Sequence, residues 1–194
     1  MKKLSLITLI VSAILYMSFT LVEKADWTYD KNHAKVGFTV THMMVSDVEG
    51  YFQTASATLT TTKSDFSDAV VEMTADATSI FTDNEKRDAH LKSPDFFDAM
   101  KYPAVTFKST SFKKTKAVNT YTMKGILTMH GVSKPVVFTV IARTSVQPLN
   151  KKTIAGFKIT GKLKRSDFGI GPNMPVAVVS DEVLIDCNAE FSKD

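Results

Sequence analysis

An internal disulfide is closed to this chain, because Cys187 is the only cysteine among its 194 residues. Stability must come from packing and sheet pairing. A strong excess of one charge is also missing. The net charge is +4, and loss of a leader holding Lys2 and Lys3 leaves 4 − 2 = +2. The basic residues do not cluster beyond Lys113, Lys114 and Lys116, which read as a solvated hairpin. Nucleic acid is therefore not an expected partner. Repeats, low-complexity tracts and linkers are absent too. With 44% hydrophobic and 23% charged content, the chain reads as one globular domain with a substantial core.

The frames that carry catalysis are missing as well. No G-x-S-x-G elbow activates a serine. Gly169-Ile170-Gly171 lacks the third glycine and the following helix of a dinucleotide site, and reads as a turn before Pro172. His33, His42, His90 and His130 are widely spaced, and no two stand at i and i+4 as paired metal ligands would. Cys187 shares the parity of Ile185 and Ala189, which points to a buried, inert thiol. The expectation is a protein that is not an enzyme and has no cofactor or metal. The rival reading is a redox accessory that uses the four histidines with a metal or haem.

Residues 1–22 differ in composition from the rest of the chain. Lys2 and Lys3 precede an uncharged, mostly apolar run from residue 4 to 22, and Glu23 begins polar sequence. This is the layout of a secretory signal, although the run is long enough to serve as an uncleaved anchor. No cysteine comes directly after it to accept a lipid. The exported domain is read as residues 25–194.

Across that domain the dominant pattern is alternation with a period of two. Val36, Phe38 and Val40 fall on one face of residues 34–41, and Lys35, Thr39 and Thr41 on the other. The alternation recurs in Ala55, Ala57 and Leu59; in Val71, Met73 and Ala75; in Val105 and Phe107; and in Tyr121, Met123, Leu127 and Met129. It continues through Val136, Phe138 and Val140, through Phe157, Ile159 and Leu163, and through Val183, Ile185, Ala189 and Phe191. Short polar links at 63–68, 115–120, 130–135 and 147–153 predict antiparallel order. The fold expected is all-β: about eight antiparallel strands in a barrel or sandwich, one sheet closed on itself being the simpler.

Two segments break the rhythm. Residues 82–100 offer Thr82, Asp83 and Asn84 as helix N-caps and predict helix or helical turns against a barrel end, interrupted at Pro94. Residues 42–48 are expected to form a single helical turn. Arg87, Asp88 and His90 lie beside Leu91, Phe96 and Phe97. They read equally as a surface turn with local ion pairs or as polar groups at a barrel mouth, tying the helical segment to a strand or meeting a ligand head group.

The inward set mixes Ala55, Ala57, Ala75 and Ala189 with Met73, Met123, Met129, Phe38, Phe107, Phe138 and Phe157. Such a mixture suits a tightly filled small barrel, or a hollow one whose methionines adapt to a chain-like ligand.

A set of ordered motifs then joins these elements. Trp27-Thr-Tyr-Asp30 with His33, Val36-Gly-Phe-Thr-Val-Thr-His42, Val48-Glu-Gly-Tyr-Phe52 and Ser79-Ile-Phe-Thr82 come first. Arg87-Asp-Ala-His-Leu91, Asp95-Phe-Phe-Asp98, Lys101-Tyr-Pro-Ala-Val-Thr-Phe107, Gly125-Ile-Leu-Thr128 with Gly131, and Arg165-Ser-Asp-Phe-Gly169 come after them. In order and spacing the chain from Trp27 onward resembles the YceI-like proteins, lipocalin-like polyisoprenoid-binding barrels of the bacterial envelope. His130 and the Met174-Pro175 pair are its departures.

The resemblance implies an eight-stranded antiparallel lipocalin-like barrel with a short helical segment, enclosing a long apolar channel in a periplasmic protein. Its ligand would be a polyisoprenoid or an isoprenoid quinone tail. On this reading Phe38, Val40, Met73, Phe107, Met123, Phe138, Phe157 and Ile185 line the channel, and Arg87 and His90 stand at its mouth. Transient membrane contact and a homodimer are compatible with it. A stress-related envelope protein with a filled barrel that acts through its surface is a third reading.

Overall fold

The computed structural model describes residues 25–193. The leader read at 1–22 lies outside them. Hydrogen bonding defines β1 (Ala25–Tyr29), β2 (Lys35–His42), β3 (Ser46–Phe52), β4 (Ala55–Thr61), β5 (Val70–Asp76), β6 (Ile80–Phe81), the helix α1 (Glu85–Lys92), and β7 (Ala104–Lys114). The chain continues through β8 (Thr120–Met129), β9 (Val132–Val146), β10 (Thr153–Lys164) and β11 (Val179–Lys193).

These strands join into eight staves. β1 and β2 are interrupted only by a turn over Lys31–His33, where Asp30 caps Asn32 N–H at 2.9 Å and meets His33 Nδ1 at 2.8 Å. Both strands pair with β11 on one side and with β4 and β3 on the other. β3 runs on into β4, and β5 into β6, which pairs with β3. Every neighbour is antiparallel, and the β1–β11 pairing closes the ring, so the fold is an eight-stranded antiparallel barrel.

The helical turn expected at residues 42–48 is not there. β2 extends to His42, a tight turn comes next, and β3 begins at Ser46, with His42 and Ser46 in register. Sheet pairing across the hairpin outweighs the local preference of the apolar Met43-Met44-Val45 run. The 82–100 segment does form a helix. Asn84 caps it by accepting from Arg87 N–H at 3.0 Å, and it stops at Ser93, the residue before Pro94.

Alternating strand direction sorts the connections between the two barrel ends. One end gathers residues 62–69 and the β7–β8 and β9–β10 turns. The other gathers the β2–β3 turn, the 82–103 segment with α1, the β8–β9 turn and the 165–178 link.

The first end is closed. Phe66, in a link that the sequence marks as polar, is buried with its ring 5.6 Å from Trp27 and 5.2 Å from Phe157. Tyr121 donates its hydroxyl to Asp65 O at 2.6 Å. Asp68 holds the base of this plug, accepting from the Thr61 hydroxyl at 2.5 Å, from Thr62 N–H at 3.0 Å and Lys63 N–H at 3.2 Å, and from the Thr62 hydroxyl.

Burial alone would raise the Asp68 carboxyl, but these bonds outweigh it and hold the group well below its ordinary value of 3.8. A depressed carboxylate contributes stability that is present above the unfolded value and is lost as pH falls through the folded one. Asp68→Asn is therefore expected to cost about 1–2 kcal/mol at pH 7. Its denaturation midpoint should also fall less steeply than the wild type's below about pH 4. Identical acid dependence in urea titrations of the two proteins would remove Asp68 from this role.

Candidate functional site

Inside the barrel lies a cavity of about 410 Å³. Val179, before the register shift in β11, lines its mouth, and beyond the shift its wall on that strand runs from Val183 to Phe191, eight residue steps. That spans about 27 Å along the strand, or roughly 20 Å along the axis of a barrel whose strands tilt about 40°. Tyr29, Leu59, Phe157 and Phe191 form the floor above the Phe66 plug, and Phe96, Phe97, Ile170 and Met174 lean over the other end.

The interior stays hollow because bulk on one strand is matched by its absence on the next. The ring of Phe107 lies against Gly125, where an added Cβ would come within 2.4 Å of it, and Phe138 lies against Gly161, with a Cβ at 2.5 Å. The aromatic rings thus flatten onto bare backbone instead of filling the lumen. Ala57 and Ala189 keep further wall positions small.

All ten residues selected from sequence stand on this wall: Phe38, Val40, Met73, Phe107, Met123, Phe138, Phe157 and Ile185 along the barrel, Arg87 and His90 at the mouth. Alternation did not single out Phe112, which the shift in register between Ser109 and Ser111 turns inward. Thr82 and Arg165 stand in the ordered motifs, Thr82 also as an N-cap candidate, but the sequence assigned neither a place on the wall.

Polar wall residues gather at the mouth, Asn188 on β11 and the Tyr29 phenol on the floor being exceptions. Thr82 joins the end of β6 to α1. Its hydroxyl donates to the buried Asp88 carboxylate at 2.5 Å and accepts from Arg87 Nε at 2.7 Å, while Arg87 Nη2 donates to the Thr82 carbonyl. Arg87 and Asp88 thus tie the helix to a strand, one of the two roles the sequence allowed. His90 Nε2 lies 3.2 Å from Asp95 and its ring meets Phe96 edge-on at 4.9 Å. Arg165, although buried, makes no ion pair among the described residues. Its guanidinium donates to the carbonyls of Ile170, Gly171, Met174, Val179 and Ser180, at 2.5 to 3.2 Å.

The histidines are dispersed. His130 Nδ1 lies 3.0 Å from Phe168 O, His42 and His90 face the cavity, and His33 is on the outer surface with Asp30 at 2.8 Å and Glu190 at 4.0 Å. Among the described residues, Asp30, His33 and Glu190 are the one group of three side chains near enough to share a metal ion, and it holds a single histidine. Cys187 lines the cavity, where burial pushes its thiol up to about 11 and its Sγ lies 3.7 Å from Gly37 O. A thiol so placed is protonated at neutral pH and is a poor nucleophile.

A UPF0312 protein of Staphylococcus aureus (strain N315) is 31% identical over 178 residues, covering 86% of this chain and 97% of that one. Among solved structures, Burkholderia cenocepacia BcnA superposes with a TM-score of 0.75 at 25% identity, over 84% of this chain and 98% of that one. A Campylobacter jejuni YCEI protein does so at 0.69 and 30% identity, over 86% and 97%. A polyisoprenoid binding domain from Saccharophagus degradans shares the fold at TM-score 0.65, with 14% identity over 88% of this chain and all of that one. The model of the YceI-like domain matches residues 27–191, nearly the whole described barrel, and the chain belongs to that family.

Proposed function

We propose that the protein sequesters an elongated apolar molecule of the polyisoprenoid or isoprenoid-quinone class inside its barrel and carries it in the cell envelope, without catalysing a reaction. One observation carries this reading: the cavity is long, apolar along its wall, stopped at the floor, and polar chiefly at the mouth. A chain with a small polar head matches that order of surfaces, tail inward and head beside Arg87 and His90. The Saccharophagus degradans domain, described as polyisoprenoid binding, has the same fold and supports the ligand class.

Burial of the tail would supply roughly 25 cal/mol for each Å² removed from water, before the cost of ordering the chain is subtracted. The leader read at residues 1–22 directs the protein out of the cytoplasm, and the periplasm is the compartment proposed.

Protein purified from its own host should release a long-chain isoprenoid into organic solvent, identified by mass spectrometry. After stripping, it should take up added polyprenol from detergent micelles at about one per barrel. Repeated extracts free of lipid, together with no uptake of polyprenol, would sink the proposal.

A further inference from the structure

The β2–β3 turn has a conformation that the cavity does not account for. Met43 and Met44 both have positive φ, 52° and 59°. They lie in the turn closed by Val45 N–H donating to His42 O at 3.1 Å. Side chains with a Cβ are disfavoured in that region, and glycine, asparagine or aspartate normally fill such hairpin positions. Burial does not compensate, since Met44 is 76% exposed and Val45 84%.

The turn is fastened to the facing link by Met43 N–H donating to Val178 O at 2.9 Å, and that link presents Val176, also exposed. His42 and Val178, which adjoin these tips in the chain, line the cavity. Along the 176–178 link, apolar surface therefore runs from the cavity wall over the rim to the outside. The two tips are also uncharged, since no Asp, Glu, Lys or Arg occurs in residues 43–46 or 169–180; charged groups of this end lie on the 82–103 segment across the mouth. At the opposite end Val118 and Leu149, with Val146 at the foot of β9, are also exposed, but their turns carry Lys116, Lys151 and Lys152 and lie beside the closed floor.

From this geometry we infer that the Met43–Val45 tip and the Val176 link form a docking surface for a phospholipid bilayer. The two tips enter the interfacial layer, and the ligand passes between hydrocarbon and cavity without crossing water. The inference rests on the proposed isoprenoid occupant. Two uncharged apolar tips engage the bilayer by burying apolar area and not by attraction to anionic lipid, so docking through them should be insensitive to salt.

The test uses the double variant Met43→Asn, Met44→Gly, which places residues suited to positive φ in the turn and should melt no lower than wild type. Both proteins are loaded with a fluorescent polyprenol, once from detergent micelles and once from vesicles of phosphatidylcholine and phosphatidylethanolamine. Equal loading from micelles is expected, with transfer from vesicles slowed about tenfold or more in the variant and unchanged by salt in the wild type.

Equal vesicle transfer by the two proteins, or wild-type transfer that collapses in salt, overturns the docking surface. So does a variant that turns a dimer into a monomer and transfers normally, which would make the rim a contact between copies. Failure of both proteins to load from micelles overturns the occupant itself, and the inference with it.

Discussion

Replacing Arg165 with methionine is expected to lower the stability of the barrel by about 3–5 kcal/mol, although it deletes a buried charge. Two effects oppose each other. Removing the guanidinium relieves its desolvation. It also takes hydrogen bonds from five backbone carbonyls between Ile170 and Ser180, a stretch without helix or strand until β11 begins at Val179.

The second effect wins, because Ile170 and Gly171 are buried and their carbonyls lie where water does not replace the lost donor. Each carbonyl left without a donor costs about 1–3 kcal/mol. Nearby Asp181 does not offer a substitute. Burial would raise its carboxyl, and bonds from Ser166 N–H at 3.0 Å and Oγ at 2.9 Å, helped by the charge of Arg165, keep it lowered. Arg165→Lys should lose nearly as much, since an ammonium has three donors and no fork to span the five carbonyls. Urea denaturation gives the stability, and amide exchange should accelerate across residues 170–180. A loss under about 1 kcal/mol with unchanged exchange would show that the 165–178 link holds without its arginine.

The stave pattern was readable in sequence because each stave buries one face only. Val136, Phe138 and Val140 on β9 are buried, while Val137 and Ile141 are exposed. Residues that depart from one-faced burial were not readable. Phe66 reaches the core from a polar link by adopting a positive φ of 57°. Phe112 turns inward only because the ladder shifts register after Ser109.

The mouth was harder still. Arg87 and His90 stood out as polar groups beside aromatics, but the partner of Arg87 is Thr82, and the partners of Arg165 are carbonyls, which no side-chain pattern encodes. Hollowness lay between these cases. The alanines permitted it, but Gly125 and Gly161 produce much of it, and a glycine within a strand has no periodic signature.

Filling the cavity is expected to weaken binding of a polyprenol by about two orders of magnitude or more while leaving the barrel as stable as before. Ala57 on β4 and Ala189 on β11 both face the lumen, opposite Met73 and Phe157 in the ladders, so Ala57→Phe with Ala189→Phe adds two rings to space that is now open. In a filled core the same change would force strained rotamers, at about 1–3 kcal/mol for each site. Against a 410 Å³ cavity the new rings meet empty volume, and their burial offsets the cost of ordering them.

The ligand loses what the rings gain. Displacing one five-carbon isoprenoid unit forfeits about 4 kcal/mol at about 0.8 kcal/mol per carbon, part of which returns as ordering no longer required. Affinity should fall by about two orders of magnitude or more for the double variant. The same experiment separates the carrier from a protein that acts through its outer surface. A barrel already filled would be destabilised by the two phenylalanines, and a surface-acting protein would keep its phenotype with its interior blocked. Coincident loss of polyprenol uptake and of function in the host, at unchanged melting temperature, is the outcome that only an occupied lumen produces.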